Sequence, residues 1–276
     1  MDSELKDKVA VITGGSGFIG SAIAYALAER NVKTAIIGRN QAKAMQIAEG
    51  ISQKTGNTSI GIQANVLDRK GLIYAKETIN KSLGNISYLI NCAGGGSPAA
   101  ATSMEQIEST DKLEGSFFDL SMEGFQQVFD LNINGTVLPC LVFMQDMMKN
   151  NFGSVVNVSS MGAIQPLTKT PAYSAAKAAV DNFTKWMAVH FAKTAVRINA
   201  IAPGFFATKQ NKFLLFNDDG SLSARGHKII ANTPMGRFGK VENLTGTVIY
   251  LLSDASEFVT GTIIPVDGGF NAYGGV

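Results

Sequence analysis

Short apolar runs rich in β-branched residues alternate along this chain with longer stretches of helical composition. That alternation limits the fold more than any other feature of the sequence. KVAVIT is followed by FIGSAIAYALAER, KTAIIG by QAKAMQIAEGISQ, TSIGIQAN by a helix expected from about Asp68, and SYLINCAG by a break in the rhythm. A long helix is expected from about Met122, then SVVNVSS, a helix over about 172–193, VRINAIAP, a helix near 241–252 and a last strand in GTIIPVDGG. Strands that are apolar at nearly every position need both faces covered, and a strand–helix–strand order gives parallel pairing. The expected class is therefore α/β, a doubly wound parallel sheet of the Rossmann type. No Pro/Gly/Ser-rich linker and no fixed-period repeat divides residues 1–276, which read as one domain.

Composition agrees with a packed chain: 45% of residues are hydrophobic and 17% charged, so a sizeable core is available and disorder is not expected. The formal charge of +2 is scattered, which gives no reason to expect nucleic acid or a membrane surface as partner. The start, MDSELKDK, is unlike a secretory signal, and no apolar run approaches the roughly 18 residues of a spanning helix. Cys92 and Cys140 lack a CxxC spacing and read as reduced core residues, and no metal cluster is apparent. These points lead to the expectation of a soluble, cytoplasmic protein that needs no metal.

Two stretches break the alternation, residues 94–121 and 204–240. Each follows the carboxyl end of a strand, where ligands bind in sheets of this type, and connections of that length are usually functional.

The first strand runs into TGGSGFIG, which opens a helix. Glycines permit a tight turn and close approach of backbone to a pyrophosphate, and a helix N-terminus offers free N–H groups and a positive dipole end. Gly14, Ser16, Gly17, Phe18, Ile19 and Gly20 are the candidate phosphate-binding residues. The second strand ends AIIGRN, with Gly38 where NAD sites usually carry an acid and Arg39 beside it. A guanidinium grips an extra phosphate well, so NADP(H) is preferred, with NAD(H) left open.

PAYSAAK places Tyr173 and Lys177 four positions apart, on one face of a helix. Proton transfer by a phenol near neutrality requires lowering its pKa by about 2–3 units. A cation about 4 Å away supplies up to about 4 kcal/mol at an effective dielectric near 20, which is enough. Such a pair is uninformative alone. In company with TGGSGFIG, NCAG, LNINGT, NVSS and RINAIAPGFFAT, in that order along nearly the whole chain, it resembles the short-chain dehydrogenase/reductase family.

The resemblance implies roles residue by residue. Tyr173 is the general acid/base, Lys177 binds the nicotinamide ribose and lowers the Tyr173 pKa, and Ser160, thirteen residues before the tyrosine, bonds the substrate oxygen in preference to Ser159. Asn132 holds a water in a proton relay and doubles as a buried amide tying strands together. Asn65 and Val66 lie beside the adenine, Asn91, Ala93 and Gly94 line the cofactor, and Pro203, Gly204 and Thr208 reach its nicotinamide side. Two positions depart from the family pattern: Phe18 replaces a glycine of TGxxxGxG, and Asn65 replaces an aspartate.

The 204–240 loop mixes Phe and Leu with Lys209, Gln210, Asn211, Lys212, Arg225, His227 and Arg237, which suits a polar substrate carrying a carboxylate. Phe205, Lys209, Gln210, Asn211 and Ser160 are the candidate substrate contacts. The segments SFFDLSMEGFQQVFDLNINGT, PLTKTPAYSAAKAAVDNFTKWMAVHFAK and PGFFATKQNKFLLFNDDGSLSARG are similar to the D-mannonate oxidoreductase (fructuronate reductase) group of the family. That resemblance implies reduction of a sugar-acid ketone, D-fructuronate to D-mannonate, by a homotetramer built on the long helices and C-terminal strand. Alternatives are a 5-ketogluconate reductase or other sugar-acid ketoreductase and, from another class, a non-catalytic nucleotide-sensing regulator. A 3-oxoacyl reductase would have no use for the 94–121 insertion.

Overall fold

A computed structural model describes residues 2–208 and 212–275. A short helix α1 (Asp2–Leu5) leads into β1 (Val9–Thr13), α2 (Phe18–Ala28), β2 (Lys33–Gly38), α3 (Gln41–Thr55), β3 (Ser59–Gln63), α4 (Arg69–Ser82) and β4 (Ile86–Asn91). After the first long insertion come α5 (Met122–Phe129), a π-helical turn (Asp130–Asn134), α6 (Gly135–Asn150) and β5 (Gly153–Val158). The chain continues through α7 (Met161–Ile164), α8 (Pro171–His190), β6 (Val196–Pro203), α9 (Lys212–Leu215), α10 (Ala224–Ala231), α11 (Glu242–Leu252) and β7 (Ile263–Val266).

The strands form one seven-stranded sheet in the order β3-β2-β1-β4-β5-β6-β7, and every pairing is parallel. This is the Rossmann-type class that the alternation predicts. All five residues of β1 are buried, and they divide by parity. Ala10 and Ile12 pack with α2, α3 and α11, whereas Val9 and Val11 face α4, α6 and α8. Burying each such aliphatic side chain contributes about 1.5–3 kcal/mol, which fixes the register of every strand.

Local chemistry sets the helix ends. Asn40 and Asp68 cap α3 and α4 by accepting from Lys43 N–H and Lys70 N–H, and Gly56 closes α3 in the left-handed region at φ 71°. The helix expected over 172–193 stops at His190, where Phe191 caps it and the chain turns through Thr194.

α5, the π turn and α6 run together as one helical rod over Met122–Asn150, 29 residues long. By length and composition this rod suffices to cross a bilayer, which a search for unbroken apolar runs passes over because polar residues interrupt it. Half of its apolar window is buried inside the protein, where Val142, Phe143 and Met147 pack on the sheet.

Strand order reverses between β1 and β4, and the crevice at their carboxyl ends is the ligand site such sheets offer. Both long insertions rise beside it. They meet where Lys228 of α10 pairs with Glu105 at 2.8 Å.

Candidate active site

The turn after β1 is made of backbone pressed against backbone. Gly14 sits at φ 61°, and a Cβ there would lie 2.9 Å from the Ala93 backbone. A Cβ on Gly20 would lie 2.6 Å from the Gly14 carbonyl oxygen. Gly17 caps α2 without any side-chain bond to the first helical N–H groups, which face the crevice end of the sheet as an anion cradle. Phe18 begins the helix as an exposed side chain. Ile19 packs toward the core.

Ser16 lies over the end of β2: a Cβ on Gly38 would come 2.7 Å from its hydroxyl oxygen. Arg39 is exposed beside it, its carbonyl taken by Gln63 at 3.0 Å. Asn65 is exposed and accepts from Leu67 N–H, and Val66 is buried against Gly135. The cradle, the uncapped helix start and the open end of β2 fit a dinucleotide.

β4 and β6 close the crevice. Ala93 N–H donates to the Thr13 hydroxyl, which holds the strand end against β1. Gly94 has no room for a side chain, because a Cβ there would meet Asn132 Oδ1 at 2.7 Å and Lys177 Nζ at 3.0 Å. Pro203 ends β6, Gly204 is pressed on the Asp267 backbone at 2.6 Å from where a Cβ would lie, and Thr208 follows. The Asn91 side-chain amide turns into the core, donating to Asn157 Oδ1 at 2.9 Å and Cys140 Sγ at 3.3 Å. Asn157 in turn donates to Thr184, whose hydroxyl donates to the Val180 carbonyl. This buried ladder joins β4, β5 and α8, and a buried amide that can find such partners takes them.

Tyr173 and Lys177 project from one face of α8, and Ser160 stands at the end of β5 as the cap of α7. The Lys177 ammonium is almost fully buried, donates to the Val158 carbonyl at 2.7 Å and lies 5.8 Å from the Tyr173 ring centroid. Burial pulls its pKa down to about 8, opposed by Cys92 and Asp181. Tyr173 packs its ring beside Ala100, Ala172 and Ala176. Burial pushes the Tyr173 phenol up, and the Ser160 hydroxyl pulls it down. The Lys177 charge is turned to a carbonyl, and desolvation of the phenol dominates.

Ser159 is buried with its hydroxyl toward Asp181, so the two serines face different groups. Asn132 sits in the π turn, and its side chain is committed to Gly95 N–H, Gly95 carbonyl and Val128 carbonyl at 3.2, 2.8 and 2.8 Å. Such turns are frequent at functional sites. Here the turn aims one amide at the start of the 94–121 insertion.

Phe205 meets the Phe270 ring edge-on at 5.2 Å and lines a cavity of about 390 Å³ at the ends of β6 and β7, with Arg237 and Asp267. Lys209, Gln210 and Asn211 lie outside the described residues. Burial holds the Cys92 and Cys140 thiols at about 12, and both are free. Among the described residues no three His, Cys, Asp or Glu side chains gather as a metal site.

A model of one branch of the short-chain dehydrogenases, described as enoyl-(acyl carrier protein) reductase, matches residues 16–271. The chain belongs to the short-chain dehydrogenase/reductase family. Its members are oxidoreductases that use NAD or NADP, and this chain is one of those oxidoreductases. It is 50% identical to the uncharacterized oxidoreductase UxuB of Bacillus subtilis (strain 168), covering all of this chain and 99% of that one. It is 42% identical to an uncharacterized oxidoreductase of Haemophilus influenzae, over 99% and 96% of the two chains. Among solved structures, a Haemophilus protein described as a candidate D-mannonate oxidoreductase with bound NAD superimposes with a TM-score of 0.94, at 42% identity over 99% of this chain and 98% of that one.

Proposed function

We propose that this enzyme reduces the ketone of a sugar acid, D-fructuronate to D-mannonate, with NADPH preferred over NADH. The observation that carries the reading is the grouping of Ser160 with Tyr173 on the helix whose Lys177, together with Asn132, closes on Gly94 at the start of the first insertion. The 42%-identical Haemophilus structure supports the substrate class.

When bound, the nicotinamide dinucleotide supplies the hydride. Ser160 and Tyr173 hold the substrate oxygen as it gains charge, and the Tyr173 phenol donates its proton to that oxygen. A phenol raised by burial is protonated at neutral pH, which stocks the acid that the reductive direction needs. Lys177, fixed by the Val158 carbonyl, is the group placed to hold a ribose hydroxyl and pass a proton inward. Asn132 keeps Gly95, and with it the floor under the cofactor, in place.

Three features support NADPH. Gly38 presents no carboxylate, the Ser16 hydroxyl lies over it, and Arg39 is exposed alongside. Charge-assisted contacts of this kind favour the phosphorylated cofactor by about 10- to 100-fold. A homotetramer is part of the same reading, supported by the apolar faces that α6 and α8 leave uncovered at Leu141, Met148, Trp186 and Val189.

The test is steady-state reduction of D-fructuronate with NADPH and with NADH, beside 5-ketogluconate. Efficient turnover of fructuronate with an NADPH advantage that Arg39→Ala abolishes supports the reading. Preference for 5-ketogluconate overturns the substrate, and an unchanged cofactor ratio in Arg39→Ala overturns the role of Arg39.

A further inference from the structure

The loop PLTKT between α7 and α8 holds a lysine in an unusual place. Lys169 adopts φ 69°, a left-handed conformation that costs a residue with a side chain about 1 kcal/mol or more. Its carbonyl accepts from Thr102 N–H at 2.9 Å, which ties this loop to the 94–121 insertion. It stands four residues before Tyr173, at the threshold of the helix that carries the tyrosine.

The side chain is partly buried, yet its ammonium has no hydrogen-bond or ion-pair partner among the described residues. The carboxylate whose charge it feels is Glu105, which also feels Arg225 and is already paired with Lys228 at 2.8 Å. Lys228 and Arg225 from the 204–240 insertion and Lys169 from the loop before α8 thus all act on one acid of the other insertion, and only Lys228 is paired with it. Of the other cations in the 204–240 loop, Arg237 is turned to the Phe238 carbonyl and Asn243. Among the described residues, Lys169 combines partial burial with a place four residues before the proton donor.

We propose that Lys169, with Arg225 adding to the same positive field, receives the carboxylate of the substrate and so orients the ketone toward Tyr173. This rests on the sugar-acid reading above and identifies the specificity residue within it. A strained backbone held by an insertion is a rigid mount for one cation, and a pre-placed cation recognises an anion at little ordering cost.

The experiment compares Lys169→Met, Lys169→Arg and Arg225→Gln with wild type on D-fructuronate and on D-fructose, an uncharged ketose. NADPH binding is followed by fluorescence and folding by thermal melts. The expected result for Lys169→Met is a KM for fructuronate raised about 10- to 100-fold, with kcat within about threefold and with fructose kinetics and NADPH binding unchanged. Lys169→Arg restores most of the affinity, and Arg225→Gln gives a smaller rise. Equal losses on both ketones, or an unchanged KM for fructuronate, overturn the proposal. If Lys169→Met does not fold, Lys169→Arg and Arg225→Gln decide by the same acid-to-neutral ratio. If wild type ignores fructuronate, the substrate reading fails by itself. Lys169 is then judged on the keto acid that wild type does turn over, and loss of that acid's advantage over fructose in Lys169→Met sustains it, whereas a retained advantage sinks it.

Discussion

On the nucleotide side of the crevice the wall is backbone against backbone, with Gly14 and Gly20 each leaving no space for a Cβ. On the opposite side the wall is two long insertions joined by side chains, and Gly96, within one of them, has open space around it. A wall made of main chain tolerates almost no substitution but accepts any ligand with the right phosphate spacing. A wall made of side chains is easily changed and selects. The difference places cofactor recognition in the sheet and substrate choice in the loops.

The comparison is tested most severely where the walls meet. Tyr173→Phe is expected to lower kcat by about 10²- to 10⁴-fold while leaving cofactor binding, read by fluorescence, intact. A variant that keeps turnover removes Tyr173 as the proton donor. Next in size, Gly14→Ala should destabilise by about 1–3 kcal/mol in urea unfolding, and weaken cofactor binding, because its φ is positive and the Ala93 backbone cannot yield. Gly96→Ala should fall within about 0.5 kcal/mol of wild type. Similar costs at the two glycines would erase the contrast between the walls.

A third prediction concerns Lys177. Its folded pKa of about 8 lies below its ordinary 10.5, so between those values the unfolded chain binds more protons. Wild type therefore gains stability as pH rises through that window, and Lys177→Met does not. The Tm of wild type relative to the variant should climb between pH 7 and pH 10, and a flat difference would mean that the ammonium is not desolvated. The smallest effect is expected at the loop clasp. Glu105→Gln breaks an exposed pair and should leave the melting temperature unchanged.

The parallel sheet was legible in the sequence because buried strands spell themselves as apolar runs and each is followed by a helix. Tyr173 and Lys177 were legible as neighbours because one turn of helix sets their spacing. What those two groups do to each other was not, since it depends on the Val158 carbonyl and on burial, both supplied by distant parts of the chain. The inward turn of Asn91 has the same origin: its partners Asn157 and Cys140 come from elements 66 and 49 positions away. In the loops, Lys169 lies outside the 204–240 insertion whose cations stand out in the sequence. Its partial burial comes from tertiary contact, and nothing in PLTKT signals it.

The π turn at Asp130–Asn134 adds a residue to an otherwise regular rod, and each residue of a helix turns the chain by about 100°. Within it the rod must aim Asn132 at Gly95, and downstream it must lay Phe143 and Met147 on the sheet. The extra residue sets the phase between these two obligations. Deleting one residue here would leave the helix intact and nearly the same length. It would still force a choice between the crevice and the core, because one of the two faces would point the wrong way.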